Sequence, residues 1–213
     1  MASGPRSAGK STRPDVFIIE SLNFEDEEHR REGEIISRAL RLAGKDPIYH
    51  YVRTRRELEH FVAEFERSGY RYLHLSCHGN EDGIATTFDS IDAAEFGRLM
   101  GTSLSRRRLF LSTCLAATTK LARGVFAASD CYSVAGPVGE IAFHDSVVLW
   151  TTFYHLMFKE NATVMKHKRM EVNLSKAGLI LDQQIRLFKP AAGGGVDERT
   201  LPPPSKFVRE EDV

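Results

Sequence analysis

The chain has few cysteines, and their number is odd. Cys77, Cys114 and Cys131 leave no way to build a closed disulfide framework, so the fold must rest on an apolar core. Net charge is also missing: 29 basic side chains balance 29 acidic ones. That balance excludes a global field drawing the chain to nucleic acid or to a membrane surface. The basic clusters Arg53-Thr54-Arg55-Arg56 and Arg106-Arg107-Arg108 are short and read as solvated turns. No stretch is apolar for the length of a membrane span; the richest, Val147 to Phe158, is broken by Thr151, Thr152 and His155 and reads as a buried helix. The first residues show no apolar signal core, so a reducing, cytoplasmic setting is expected. No CxxC or spaced Cys/His pair supports a metal site, and no cofactor is expected.

What the chain does have is an ordinary globular composition, 42% hydrophobic and 27% charged, enough to bury one substantial core without staples. Residues 1–14 are rich in Gly, Ser, Pro and basic residues and are expected to be disordered. Within them, Gly4 to Ser11 matches the P-loop expression G-x-x-x-x-G-K-[ST]. A working P-loop needs a strand before it and a helix after it. Only three residues precede Gly4 and Pro14 follows Ser11, so nucleotide binding is not expected there.

Beyond the tail, strand and helix patterns alternate. Val16–Glu20 reads as a buried strand. Glu25 to Leu42 reads as a helix, with acidic residues in its first turn suiting the dipole, and Gly44 as its stop. Ile48–Val52 reads as a second strand. Thr54 is the predicted cap of a helix from Arg55 to Arg67 that Gly69 closes. A third strand runs from Tyr70 to Gly79. After a polar loop and a short extended piece come a helix near Asp92–Met100, a strand at Arg107–Leu111, a helix from about Thr118 to Ala127 and a strand near Cys131–Val134. A turn at 135–139 leads to a long helix, Ile141–Lys159. A further helix is expected at Ala162–Ser175, with Gly178–Phe188 either strand or helix, and residues 190–213 as a flexible tail. The pattern predicts one α/β domain over 15–189: a three-layer sandwich around a mainly parallel sheet.

Two residues stand where chemistry collects in such folds, just beyond the carboxyl ends of strands. His78 follows Leu73-His74-Leu75-Ser76-Cys77, and Cys114 follows Leu109-Phe110-Leu111-Ser112-Thr113. An imidazole beside a thiol can take its proton and make the nucleophilic thiolate. Gly79 lets a substrate backbone approach and offers its N–H, with that of Cys114, to a developing oxyanion. The arrangement requires no third acid, although a carboxylate or carbonyl would orient the ring. Cys77 and Cys131 read as structural thiols, His74 as a packed strand residue, and His144 and His155 as partly exposed helix residues.

The segment Ser76-Cys77-His78-Gly79, then Ser112-Thr113-Cys114, resembles the caspase-like cysteine peptidases of the caspase–hemoglobinase fold. In caspases the histidine lies roughly 50 residues before the cysteine, and the interval here is shorter but of the same order. Val134-Ala135-Gly136-Pro137, Asp145 and Phe153-Tyr154-His155-Leu156 resemble the strand, turn and helix that follow the cysteine in CHAT domains. These are caspase-like domains of bacterial and some eukaryotic proteins, often encoded beside defence proteins. The resemblance spans about Val16 to Phe158 and implies a His78–Cys114 dyad that cleaves a protein substrate, with backbone oxyanion donors at Gly79 and Cys114. It also implies a protein substrate or a separately encoded partner protein, and no nucleic acid or membrane. A catalytically inactive caspase-like module acting in protein–protein interaction is the alternative. Ser112 stands where relatives selective for basic residues carry an acid, so the resemblance implies no substrate preference; Asp145, Glu140 and Glu20 remain as pocket acids. A signalling domain of the TIR type shares a first strand like Asp15–Ile19 but leaves His78 and Cys114 without a role.

Overall fold

The computed structural model describes residues 12–203. The Gly4–Ser11 motif and residues 204–213 lie outside them. Nine strands form one mixed sheet system: β1 (Arg13–Ser21), β2 (Ile48–Tyr51), β3 (Tyr70–Asn80), β4 (Gly83–Ala85), β5 (Ser90–Asp92), β6 (Arg108–Ser112), β7 (Ser133–Pro137), β8 (Ile185–Pro190) and β9 (Val196–Leu201). The main path is β2-β1-β3-β6-β7-β8-β9. The first five of these are parallel; β8 and β9 are antiparallel, and β4 and β5 form a side hairpin on the end of β3. The helices are α1 (Glu32–Leu42), α2 (Arg55–Ser68), α3 (Ala93–Met100), α4 (Thr119–Ala128), α5 (Phe143–Glu160) and α6 (His167–Ile180). No helix among the described residues is long and apolar enough to cross a membrane.

Alternation along the strands assigns the two faces. Phe17, Ile19, Leu73, Leu75, Leu109 and Leu111 pack with α2, α3 and α4 in one core. Val16, Ile18, Tyr72 and Phe110 pack with α1, α5 and α6 in the other. Helices therefore cover both faces, which is why β1 and β6 read as continuous apolar runs. α2 begins as its sequence predicts, in a capping box between Thr54 and Glu57, and ends at Gly69, whose φ of 76° needs no side chain.

Four boundaries differ from expectation. β7 runs through Pro137, where a turn at 135–139 is expected, because Ala135, Gly136 and Pro137 pair with β8. α1 starts at Glu32, not Glu25, because residues 24–29 form turns. The Asn23 side chain accepts from the Asp26 N–H, and the Glu20 carboxylate on β1 accepts from the Gly33 N–H at 2.8 Å, which fixes the first helical turn against the sheet. The last helix starts at His167 rather than Ala162, because Asn161 Oδ1 takes the N–H groups of Thr163 and Val164 in a local turn. The expected tail from 190 onward contains β9, which pairs with β8 from Val196 to Leu201 and forms the edge of the sheet on that side.

The strand order reverses at β1 and β3: β2 lies on one side of β1, and the later parallel strands on the other. The crevice beyond the carboxyl ends at such a reversal is where α/β sheets receive ligands.

Candidate functional site

β3 and β6 lie side by side in parallel, with Tyr72 opposite Arg108, His74 opposite Phe110 and Ser76 opposite Ser112. Two residues past that last pair come His78 and Cys114. Period-two alternation along β3 sends His78 toward the α1 and α5 side of the sheet, above Ser76, and the contact of the Cys114 sulfur with Ile141, which packs against that core, puts the thiol on the same side. The sheet thus brings the two expected residues to one edge, although neither sits at a simple strand end. β3 continues through His78 to Asn80 as one arm of the β3–β4 hairpin. β6 stops at Ser112, leaving Cys114 in the connection to α4.

That connection is tight. Leu115 has φ 58°, a left-handed conformation uncommon in a residue with a branched side chain, and the Ala116 N–H donates to the Cys114 carbonyl at 2.6 Å. Gly79 is required by this turn. A Cβ there would stand 3.0 Å from the Ala116 Cβ, 3.0 Å from the Gly83 carbonyl oxygen and 3.2 Å from that of Cys114. The glycine expected to admit substrate is thus also the residue that lets the cysteine loop close on β3.

His78 has a partner that the sequence did not announce. Its Nε2 lies 2.9 Å from Asp26 Oδ2, in the turn after β1. Asp26 is nearly buried, and its other oxygen holds Arg30 at 2.9 Å. Arg30 stacks over the Phe143 ring, whose face or edge also meets the His78 ring at 87° and 5.7 Å. Asp26, Arg30 and Phe143 therefore fix the imidazole from behind and from one side. With Nε2 engaged, Nδ1 is the nitrogen left for a thiol or a substrate. No hydrogen bond joins His78 to Cys114 among the described residues. The Cys114 sulfur instead accepts from the Ile141 N–H at 3.5 Å and lies 3.7 Å from the Ile141 carbonyl oxygen.

The other two thiols are inert by burial, which pushes Cys77 well up and Cys131 up to about 12. His74 is a core residue: burial holds its pKa down at about 3, Nδ1 meets the Tyr154 hydroxyl at 2.9 Å, and its ring edge faces Trp150. His144 and His155 are exposed on α5.

Beneath the His78 and Cys114 level lies a buried polar cluster. Glu32 opens α1 and is fully enclosed; burial raises its carboxyl to about 7, against the opposing effect of the Ser112, Ser76 and Ser146 hydroxyls. One of its oxygens, Oε1, has no hydrogen-bond partner. Ser112 and Ser146 contact each other through their hydroxyls. Of the three acids left open as pocket residues, Glu20 is buried under α1, bonded to Gly33 and Tyr49, while Asp145 and Glu140 lie toward the surface.

Two cavities of about 490 Å³ lie near this edge, and of the two only the first has His78 in its wall. One is walled by His78, Gly79, Asp82, Ile84, Asp92 and Glu95. The other lies between Arg30, Glu32, Ile35, Ile141, Phe143 and Val147. The arrangement defines a class: an α/β domain with a half-exposed imidazole backed by a carboxylate and a partly exposed thiol at the carboxyl edge of a parallel sheet. The chain matches no protein-family model, and no curated protein matches it.

Proposed function

We propose that this chain is a cysteine endopeptidase with a caspase-like fold of the CHAT type, acting on a protein substrate within a defence or signalling system. The observation that carries the reading is the placement of His78 and Cys114 two residues beyond a paired Ser76–Ser112 on adjacent parallel strands, with Asp26 on the far nitrogen of the ring. In this reading Asp26 acts as a positioning residue that fixes the tautomer carrying a proton on Nε2. His78 Nδ1 takes the proton of Cys114, and the sulfur bonds to the scissile carbonyl carbon. The oxyanion is met by the N–H groups of Gly79 and Cys114. As the C–N bond breaks, the imidazolium gives its proton to the leaving amine. Water, deprotonated by the same nitrogen, then adds to the thioester and releases the acid and the free thiol. Catalytic hydrogen bonds often tighten only when substrate binds, and here the Ile141 backbone must leave the sulfur for His78 to reach it.

The test is alkylation by iodoacetamide at mildly acidic pH, with the adducts mapped. Cys114 is expected to react at least about tenfold faster than Cys77 and Cys131, and to lose that advantage in His78→Ala. Equal labelling of the three thiols, or a Cys114 rate indifferent to His78, sinks the dyad. Cleavage of candidate partner proteins is expected for the wild type and absent for Cys114→Ala. The second reading, an inactive module for protein–protein interaction, is favoured by the contact of Cys114 with Ile141. It predicts that Cys114→Ala behaves as wild type in every binding and cleavage assay.

A further inference from the structure

The same side-chain ladder that ends at His78 and Cys114 begins, at the opposite end of the sheet, with Tyr72 beside Arg108. There a cavity of about 500 Å³ opens, with Arg71, Arg106, Arg107 and Arg108 in its wall together with Tyr72 and Tyr132. The sequence reads the Arg106–Arg108 run as a solvated turn; the structure half-buries Arg107 and Arg108 and places all three, with Arg71, in the wall of one concavity, the Arg107 guanidinium being turned to the end of α2. Arg106 takes a left-handed backbone, φ 60°, at the corner that presents it.

These four guanidiniums bond only to neutral acceptors. Arg71 donates to Thr12 Oγ1 at 2.8 Å and to the Thr163 carbonyl at 2.6 Å. Arg107 donates to the carbonyls of Phe65 and Glu66, at the end of α2. Arg108 donates to Ser133 Oγ at 2.8 Å and to the Met165 carbonyl at 3.0 Å. Arg106 reaches only the Tyr132 hydroxyl, at 3.4 Å. Asp130 and Glu66 act on Arg106 and Arg107 from a distance, and no carboxylate forms an ion pair with any of the four among the described residues. The contrast with Arg53 and Arg55, which are ion-paired to Glu27, Glu59 and Glu95, is direct. Partly buried cations ordinarily gain a counter-charge. Each guanidinium here keeps donors to spare from its five, and the planar forks of Arg71, Arg106 and Arg108, in the wall of one cavity, suit the oxygens of a phosphoryl group.

We propose that this cavity binds a phosphate-bearing small molecule. Its volume is that of a small-ligand site, and its arginines are gathered in the wall of one open concavity rather than along the extended basic stripe a nucleic acid backbone requires. The site is separate from the candidate dyad: Arg108 opens β6 and Cys114 lies two residues beyond its other end, about 20 Å away for an extended chain. The inference is independent of the peptidase reading.

The experiment uses the full chain and inorganic phosphate and pyrophosphate, titrated calorimetrically and by thermal shift, against sodium chloride at matched ionic strength. Saturable binding of pyrophosphate is expected, with a rise in melting temperature that chloride does not reproduce. Arg106→Gln, at an exposed position, is expected to weaken binding at least about tenfold while leaving the circular dichroism unchanged, and Arg71→Gln with it to abolish binding. Cys114→Ala is expected to bind as wild type. Stabilisation equal to that of chloride, absence of saturation, or Arg106→Gln binding within twofold of wild type overturns the proposal. So does tighter binding of a single-stranded oligonucleotide than of pyrophosphate, which would assign the patch to nucleic acid.

Discussion

At the scale of single residues, Asp26 changes the chemistry expected of the pair above the sheet. A lone imidazole beside a thiol must find its own orientation, whereas His78 is held at Nε2 by a nearly buried carboxylate that Arg30 holds in turn. Asp26→Asn keeps the shape and replaces the acceptor with a group that offers either an oxygen or an N–H to the ring. It is expected to slow Cys114 alkylation by about tenfold or more, with little further loss when His78→Ala is added, because both changes remove one unit. Additive losses in the double variant would show that Asp26 acts on something other than His78. The placement of His78, Gly79 and Cys114 at the carboxyl edge of neighbouring strands was legible in the sequence because each follows an apolar strand run. Asp26 was not, because it lies in Glu25-Asp26-Glu27-Glu28, which has the composition of a helix's first turn. Asn23, three residues earlier, was the available signal: its side chain forms the turn that diverts the chain away from helix.

At the scale of elements, the cysteine loop and the β3–β4 hairpin are built against each other, and Gly79 is their point of contact. Gly79→Ala places a methyl within about 3 Å of two backbone oxygens and the Ala116 Cβ, none of which is the free end of a flexible chain. It is expected to destabilise the fold by about 1–3 kcal/mol in urea denaturation and to displace the Cys114 loop, visible as altered alkylation of Cys114. A variant as stable as wild type with unchanged alkylation would mean that the two segments are not packed as described. Elements with strong local punctuation were read correctly: the helix between Thr54 and Gly69, and the strands of β1, β3 and β6. Those fixed by distant partners were misread. The start of α1 depends on Glu20 reaching Gly33, and β9 depends on β8; Val196-Asp197-Glu198-Arg199 is too polar to announce a strand by itself. An edge strand with charged residues is nonetheless physically sensible, since charge there discourages pairing with another chain.

At the scale of the whole molecule, two buried groups on the α1 and α5 face pull stability in opposite directions with pH. Glu32 keeps its proton to about 7 in the fold but to about 4.5 when free, so the folded state binds the proton more tightly. Its contribution to stability is therefore lost as pH rises from about 4.5 to about 7 and constant above. His74 is the converse: held neutral down to about 3, it weakens the fold as pH falls below its ordinary 6.5. Between about 4.5 and 6.5 the two slopes oppose, each on the order of 1.4 kcal/mol per pH unit. Removing one should expose the other. Glu32→Gln is expected to make stability climb with pH across that interval, relative to wild type, and to exceed wild type at pH 8 by as much as about 3 kcal/mol. The measurement is urea denaturation of both proteins at pH 4.5, 5.5, 6.5 and 8. A difference that does not change with pH would show that Glu32 is not the proton-binding group enclosed beneath Ser76 and Ser112. If alkylation of Cys114 stays at the wild-type rate in the same variant, the buried acid serves the fold beneath the site and takes no part in activating the thiol.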